Sequence, residues 1–173
     1  NGGGIRKQIE AGDITLDDIY SVHPFGNTMC VIRVTGQQVL DALEWGARAV
    51  PSENGGFLQV SGLTYEIHTG VASSAEKDEN GMFTRVSGEY RVKNVMVGGQ
   101  PLELDKTYTL ASHNYMLLGH GDGYTMFDGC EVLGEDMMVD NQVLITYITT
   151  TLGGVVGEQY ANPYGDGRIV AVE

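Results

Sequence analysis

Basic charge is what this chain most lacks. Ten lysines and arginines stand against 23 aspartates and glutamates, for a net charge of −13. A nucleic-acid-binding domain needs a basic face to displace counterions from phosphates, and no Lys/Arg run supplies one here. An anionic small ligand stays open, but specific contacts must hold it because the overall field opposes its approach. Long apolar runs are missing as well. Nothing approaches the roughly 18 consecutive apolar residues of a transmembrane helix. Cysteine is scarce: Cys30 and Cys130 fit either buried thiols or one long-range disulfide. The apolar run around Cys30 favours a buried thiol there. Two cysteines do not fix a compartment. No secretory leader precedes the first motif, and the abrupt start leads us to expect a piece of a longer chain.

Catalytic signatures are also missing. The four histidines, His23, His68, His113 and His120, include no pair at i, i+4 and none at a known ligand spacing from a carboxylate or cysteine. "GHGD" at 119–122 brings one histidine and one aspartate to a glycine-rich loop, which is not a metal site. There is no Gly-x-Ser-x-Gly, and Ser112-His113 are neighbours without a third partner. Nothing singles out a carboxylate pair among the acids. The expectation is a chain with no catalytic residues and no metal or other cofactor of its own.

What is present is glycine, 25 residues of it, often in pairs at turns, in a chain that is 42% hydrophobic and only 19% charged. That balance belongs to a globular protein rather than a disordered one, and 173 residues suffice for one domain with a substantial core. Thr15 with Asp18 predicts a helical turn at about 16–20. Thr35 with Gln38 forms a capping-box pattern before "TGQQVLDALEWGARAV", whose Val39, Leu40, Leu43 and Ala47 repeat at helical spacing. A second helix is expected over about 140–152, with Asp140 as its N-cap. "PFGN" reads as a turn before a β-rich run at 28–34. Residues 55–68 read as extended with a break at Ser61-Gly62, and residues 70–82 as a surface loop or hairpin tip. "FTRVSGEYRVKNVMV", "QPLEL", "TYTLASH" and "GRIVAVE" read as strands, with Gly98-Gly99 as a two-residue hairpin turn. Strands interrupted by two main helices, at about 35–48 and 140–152, predict an α+β fold with a mixed, hairpin-rich sheet.

Three turns combine flexible backbone with side chains suited to a ligand: "NGGGIR" (1–6), "PFGN" (24–27) and "NYMLLGHGDGY" (114–124). Three consecutive glycines are costly to order, so the first turn is either a disordered cloning remnant or a loop that a ligand approaches closely. Arg6 offers a forked donor for phosphate or carboxylate. Phe25 and Tyr115 are aromatics in turns; facing each other they would sandwich a nucleobase, and packed inward they would be ordinary core. Asp122 has the acceptors for ribose hydroxyls.

The ordered string "NGGGIR", "GDIT", "PFGN", a "TG"-capped helix, "GGFLQVSGLTY", "TYTLASHNY" and "GDGY" resembles the C-terminal domain of the 5′-nucleotidase family over essentially all 173 residues. That family includes UDP-sugar hydrolases and 2′,3′-cyclic-nucleotide phosphodiesterases. The resemblance implies a single nucleotide-recognition domain (1–173) whose N-terminal metallophosphoesterase domain, with two divalent metal ions, lies elsewhere in the parent chain. It implies a secreted, periplasmic or cell-surface phosphoric ester hydrolase, and it makes the isolated domain inactive. By the match, Asn1 and Arg6 are ligand contacts with Arg6 on phosphate, Phe25 and Tyr115 are the stacking rings, and Asn27 contacts the base. Gly55 lines the base site and Asp122 binds ribose. Tyr115 stands where relatives usually carry Phe. "Gly-His-Gly-Asp" is one residue longer than the family's "Gly-Gly-Asp", which places His120 at the pocket rim. The alternative is a stand-alone nucleoside-binding or scaffold module of a cell-surface protein.

Overall fold

The computed structural model describes residues 1–162 and 165–173. Both capping boxes form. Thr15 Oγ1 accepts from the Asp18 amide at 3.2 Å while Asp18 Oδ2 accepts from the Thr15 amide at 3.0 Å, opening helix α1 (Leu16–Val22). The same reciprocal pair between Thr35 and Gln38 opens α2 (Gly36–Ala47), satisfying amides that have no partner within the helix. Between them runs strand β1 (Met29–Thr35), whose alternation buries Cys30, Ile32 and Val34.

Three sheets surround α2. β1 lies between β7 (Thr107–His113) and β8 (Glu131–Gly134), antiparallel to both, with Met29 opposite His113 and Thr35 opposite Thr107. The second sheet runs β6 (Gln100–Pro101), β5 (Val92–Val97), β2 (Leu63–His68), β9 (Ile169–Val172), and only β9 is parallel to its neighbour. The third is a hairpin of β3 (Ala75–Lys77) and β4 (Phe83–Val86), so residues 70–82 supply a strand as well as a tip. Gly98 and Gly99 take φ of 56° and 78°, the pair of left-handed residues that a two-residue hairpin turn requires. The core gathers Trp45, Tyr124, Ile32, Leu117, Val34 and Cys30 around the buried face of α2. This is the expected α+β architecture, with mixed sheet pairing and α2 at its centre.

Hydrogen bonding decides three local details. Ahead of the Ser61-Gly62 break, residues 55–60 belong to no assigned strand: the carbonyls of Gly55 and Phe57 accept from the amides of Gly3 and Gly2, so this segment braces the chain's first turn, and β2 begins at Leu63. In "QPLEL" the strand covers Gln100–Pro101, with one further bond from the Leu102 amide to the Val95 carbonyl of β5 at 2.9 Å; beyond it the carbonyls of Leu104 and Lys106 turn to the free amides of Gln37 and Gly36 at the start of α2. Val139, not Asp140, is the N-cap of α4 (Asp140–Thr146); the Asp140 carboxylate instead accepts from the Asn141 amide at 2.8 Å. The helix continues as a π-type turn through Tyr147–Thr151. The thiols are unpaired: Cys30 is buried, and Cys130 Sγ takes a hydrogen bond from Gln38 Nε2 at 3.3 Å.

After β7 the chain turns through the short helix α3 (Asn114–Leu117) and two single 3-10 turns spanning Gly121–Phe127. This stretch delivers the candidate ligand residues to the surface beside the glycine run.

Candidate ligand-binding site

The opening "NGGGIR" is ordered. Gly2–Gly4 form a 3-10 turn pinned on one side by Gly2 N–H to the Phe57 carbonyl (3.1 Å) and Gly3 N–H to the Gly55 carbonyl (2.7 Å), and on the other by Arg6 N–H to the Val22 carbonyl (3.0 Å). Main chain therefore packs on main chain, which is what the glycines permit. The turn delivers Arg6 to the surface, where its guanidinium stands 5.7 Å from the Phe25 ring centre and donates to the Gly3 carbonyl at 3.2 Å.

Phe25 sits in the turn between α1 and β1 and is 60% exposed, an unusual position for a large apolar ring. Tyr115, in the first turn of α3, is 44% exposed. Its ring lies flat over Gly121, where a Cβ would come within 2.3 Å of the ring; only glycine leaves the space. His120 and Asp122 both take left-handed φ, 53° and 54°. That double bend turns Asp122 back toward Tyr115, whose hydroxyl donates to Asp122 Oδ1 at 3.1 Å. Asn1 Nδ2 donates to the other carboxylate oxygen. Burial, and then the nearby Asp122 charge, push the Tyr115 phenol above its ordinary pKa, so it remains a neutral donor at physiological pH.

One cleft of about 530 Å³ is lined by Asn1, Gly3, Gly4, Arg6, Phe25, Asn27, Tyr115 and Asp122, a size within the range of small-molecule sites. Six of the seven candidates named from the sequence meet there. Gly55 stands behind the glycine turn, holding Gly3 through its carbonyl. His120 is not at the rim: it lies outside the cleft lining, with Nε2 3.7 Å from Asp128 Oδ1. The left-handed His120 backbone starts the bend, and its side chain leaves the cleft.

Two supporting residues escaped the sequence reading. Trp45 donates from Nε1 to the Asp122 carbonyl at 2.9 Å. His113 Nε2 lies 3.1 Å from Asn1 Oδ1. Trp45 belongs to the core, and the sequence reading gave His113 no partner. Their signal was position, at the end of the central helix and at the last strand residue before Tyr115. Among the described residues no group of three or more His, Cys, Asp or Glu side chains is placed to hold a metal ion. This cleft offers aromatic faces, one carboxylate and one guanidinium.

These features define an α+β domain with a cleft built by turns. A profile described as "5′-nucleotidase, C-terminal domain" matches residues 1–129, and the chain belongs to that family. It is 35% identical over 172 residues to the trifunctional nucleotide phosphoesterase protein YfkN of Bacillus subtilis, covering 99% of this chain and 11% of that protein. It is 32% identical over 148 residues to the 5′-nucleotidase of Vibrio vulnificus, covering 86% of this chain and 23% of that protein. Among solved structures, a 5′-nucleotidase precursor from Thermus thermophilus superposes with a TM-score of 0.78 at 32% identity, over 99% of this chain and 30% of that one. The chain spans less than a quarter of the length of these curated relatives.

Proposed function

We propose that this chain is the substrate-recognition domain of a secreted or periplasmic, metal-dependent phosphohydrolase of the 5′-nucleotidase type. Phe25 and Tyr115 sandwich the base, with each stack contributing about 1–3 kcal/mol if it behaves as in single-strand base binding. Asp122 accepts from the ribose hydroxyls, Asn27 borders the base, and Arg6 takes the phosphate through its forked donors. Asn1 secures Asp122, and Gly55 secures the glycine turn. The observation that carries this reading is convergence: four chemically apt side chains from three separate stretches line one cleft.

In the parent chain, an N-terminal metallophosphoesterase domain with two divalent ions would supply the activated water. The share of this domain is to orient the substrate and neutralise its charge. The chain alone is accordingly expected to be inactive on AMP with added Mn²⁺ or Zn²⁺. Calorimetric titration with adenosine and AMP tests the recognition role. Phe25→Ala and Tyr115→Ala should each weaken adenosine binding about fivefold or more; unchanged affinity in both variants overturns the sandwich.

A further inference from the structure

His113 closes β7 and is no ligand contact in the reading above, yet it stands directly behind the ribose acid. Its Nε2 lies 3.1 Å from Asn1 Oδ1, and Asn1 Nδ2 donates to Asp122 Oδ2. An amide oxygen only accepts, so Nε2 must carry the hydrogen. Nδ1 is then the bare nitrogen of the neutral ring, and it is buried without a partner among the described residues. Burial also holds the imidazole below its ordinary pKa, which favours the neutral ring.

The two ends of a primary amide have nearly the same shape and opposite hydrogen-bonding character. Turned over, Asn1 would set its oxygen against the Asp122 carboxylate, acceptor against acceptor. The carboxylate draws the amide nitrogen toward itself, and the His113 N–H holds the amide oxygen at the other end, so the two contacts together fix the side chain. We propose that His113 is a positioning residue for nucleoside recognition: by holding Asn1 Oδ1 it aims the Asn1 amide nitrogen at Asp122 and fixes that carboxylate for the cis-diol of a ribose. The assignment rests on the nucleotide reading above. Tyr115 holds the other carboxylate oxygen at 3.1 Å, so the acid is gripped from both sides and a change at His113 releases one of them.

A simple packing role predicts something different. The His113 ring also lies 5.9 Å from the Tyr115 ring, and loss of that contact would loosen the stacking platform for every nucleoside alike. Positioning of Asp122 matters only to ligands with ribose hydroxyls. Adenosine and 2′,3′-dideoxyadenosine are therefore titrated by NMR into the wild-type chain, His113→Leu and His113→Gln. His113→Leu should bind adenosine about tenfold more weakly, the worth of one lost hydrogen bond, and leave dideoxyadenosine within about twofold. His113→Gln, whose amide nitrogen replaces the Nε2 donor, should restore most of the loss. Unchanged adenosine affinity in His113→Leu, equal weakening of both ligands, or no rescue by Gln overturns the assignment while leaving the nucleotide reading standing. A wild-type chain that does not prefer adenosine to the dideoxy ligand overturns the diol role of Asp122 itself, and the His113 assignment with it.

Discussion

The indole of Trp45 donates to the main-chain carbonyl of Asp122 at 2.9 Å. One hydrogen bond thus joins the central helix to the acid of the cleft. Asp122 needs such support, because a non-glycine residue at φ 54° occupies backbone that costs about 1–2 kcal/mol. Trp45 is itself held firmly: it is 1% exposed, meets Phe83 edge-on at 5.7 Å, and carries the Arg48 guanidinium 3.7 Å above its ring. The core therefore sets the geometry of the site, and damage to either should be felt by both.

Trp45→Phe tests that coupling. It leaves the Asp122 carbonyl without its donor and opens space beside Gly123 and Phe83. We expect a stability loss of about 2–4 kcal/mol in urea unfolding and weaker adenosine binding in the folded fraction. Full adenosine affinity in a destabilised variant would show that the bond to Asp122 does not reach the ligand.

The parts of this design that depend on short-range chemistry were legible in the sequence. Both capping boxes and the Gly98-Gly99 turn follow from residues within three positions of each other, and β1 and α2 follow from their periodicity. The strand expected over 100–104 stops short because the carbonyls of Leu104 and Lys106 bond to the start of α2, and the extended segment from Gly55 braces Gly2 and Gly3 instead of joining a sheet. The same limit applied to the site. Arg6, Phe25, Tyr115 and Asp122 were named for their chemistry and family likeness. The roles of Trp45 and His113 depend on contacts 77 and 112 residues away in sequence, and local pattern cannot carry those.

Gly121→Ala addresses the ring proposed to stack on the base, Tyr115, without replacing it. The residue has no positive φ of its own, so its backbone tolerates a side chain, but the added methyl would lie 2.3 Å from a Tyr115 ring carbon. The half-exposed ring must move away. We expect a stability cost of about 1–2 kcal/mol and a loss of adenosine affinity of about fivefold or more, matching Tyr115→Ala. Wild-type affinity in this variant would mean that Tyr115 is not a base platform.

Arg6→Ala should separate the phosphate from the nucleoside. The guanidinium is exposed and, among the described residues, bonds only the Gly3 carbonyl and the Phe25 face, so stability should change by no more than about 0.5 kcal/mol. Affinity for AMP should fall about tenfold at low ionic strength, and the loss should shrink as salt is added, since the contact is solvent-accessible. Adenosine affinity should hold. Equal losses for AMP and adenosine would assign Arg6 to the base platform instead of the phosphate.

Glu44 gives the fold a pH dependence whose sign can be stated. It is fully buried on α2, accepts from the Val92 amide at 2.9 Å through Oε2, and leaves Oε1 unpartnered among the described residues. Burial raises its pKa, against the opposing pull of the Val92 and Arg91 amides and the Arg91 charge. Arg91 donates from Nη1 to the carbonyls of Ala47 and Val50. A carboxyl whose folded pKa lies above its unfolded value binds more protons in the native state, so its contribution is greatest at acid pH. It is lost as pH rises from the ordinary carboxylate range through the raised value. Glu44→Gln keeps an acceptor for Val92 and removes the titration. Relative to wild type, the variant should therefore gain stability as pH increases across that window, read by urea unfolding at a series of pH values. A difference between the two proteins that stays constant with pH would show that Glu44 ionises in the fold as it does in the unfolded chain. A difference of the opposite slope would show that the Arg91 charge, rather than burial, dominates at this position.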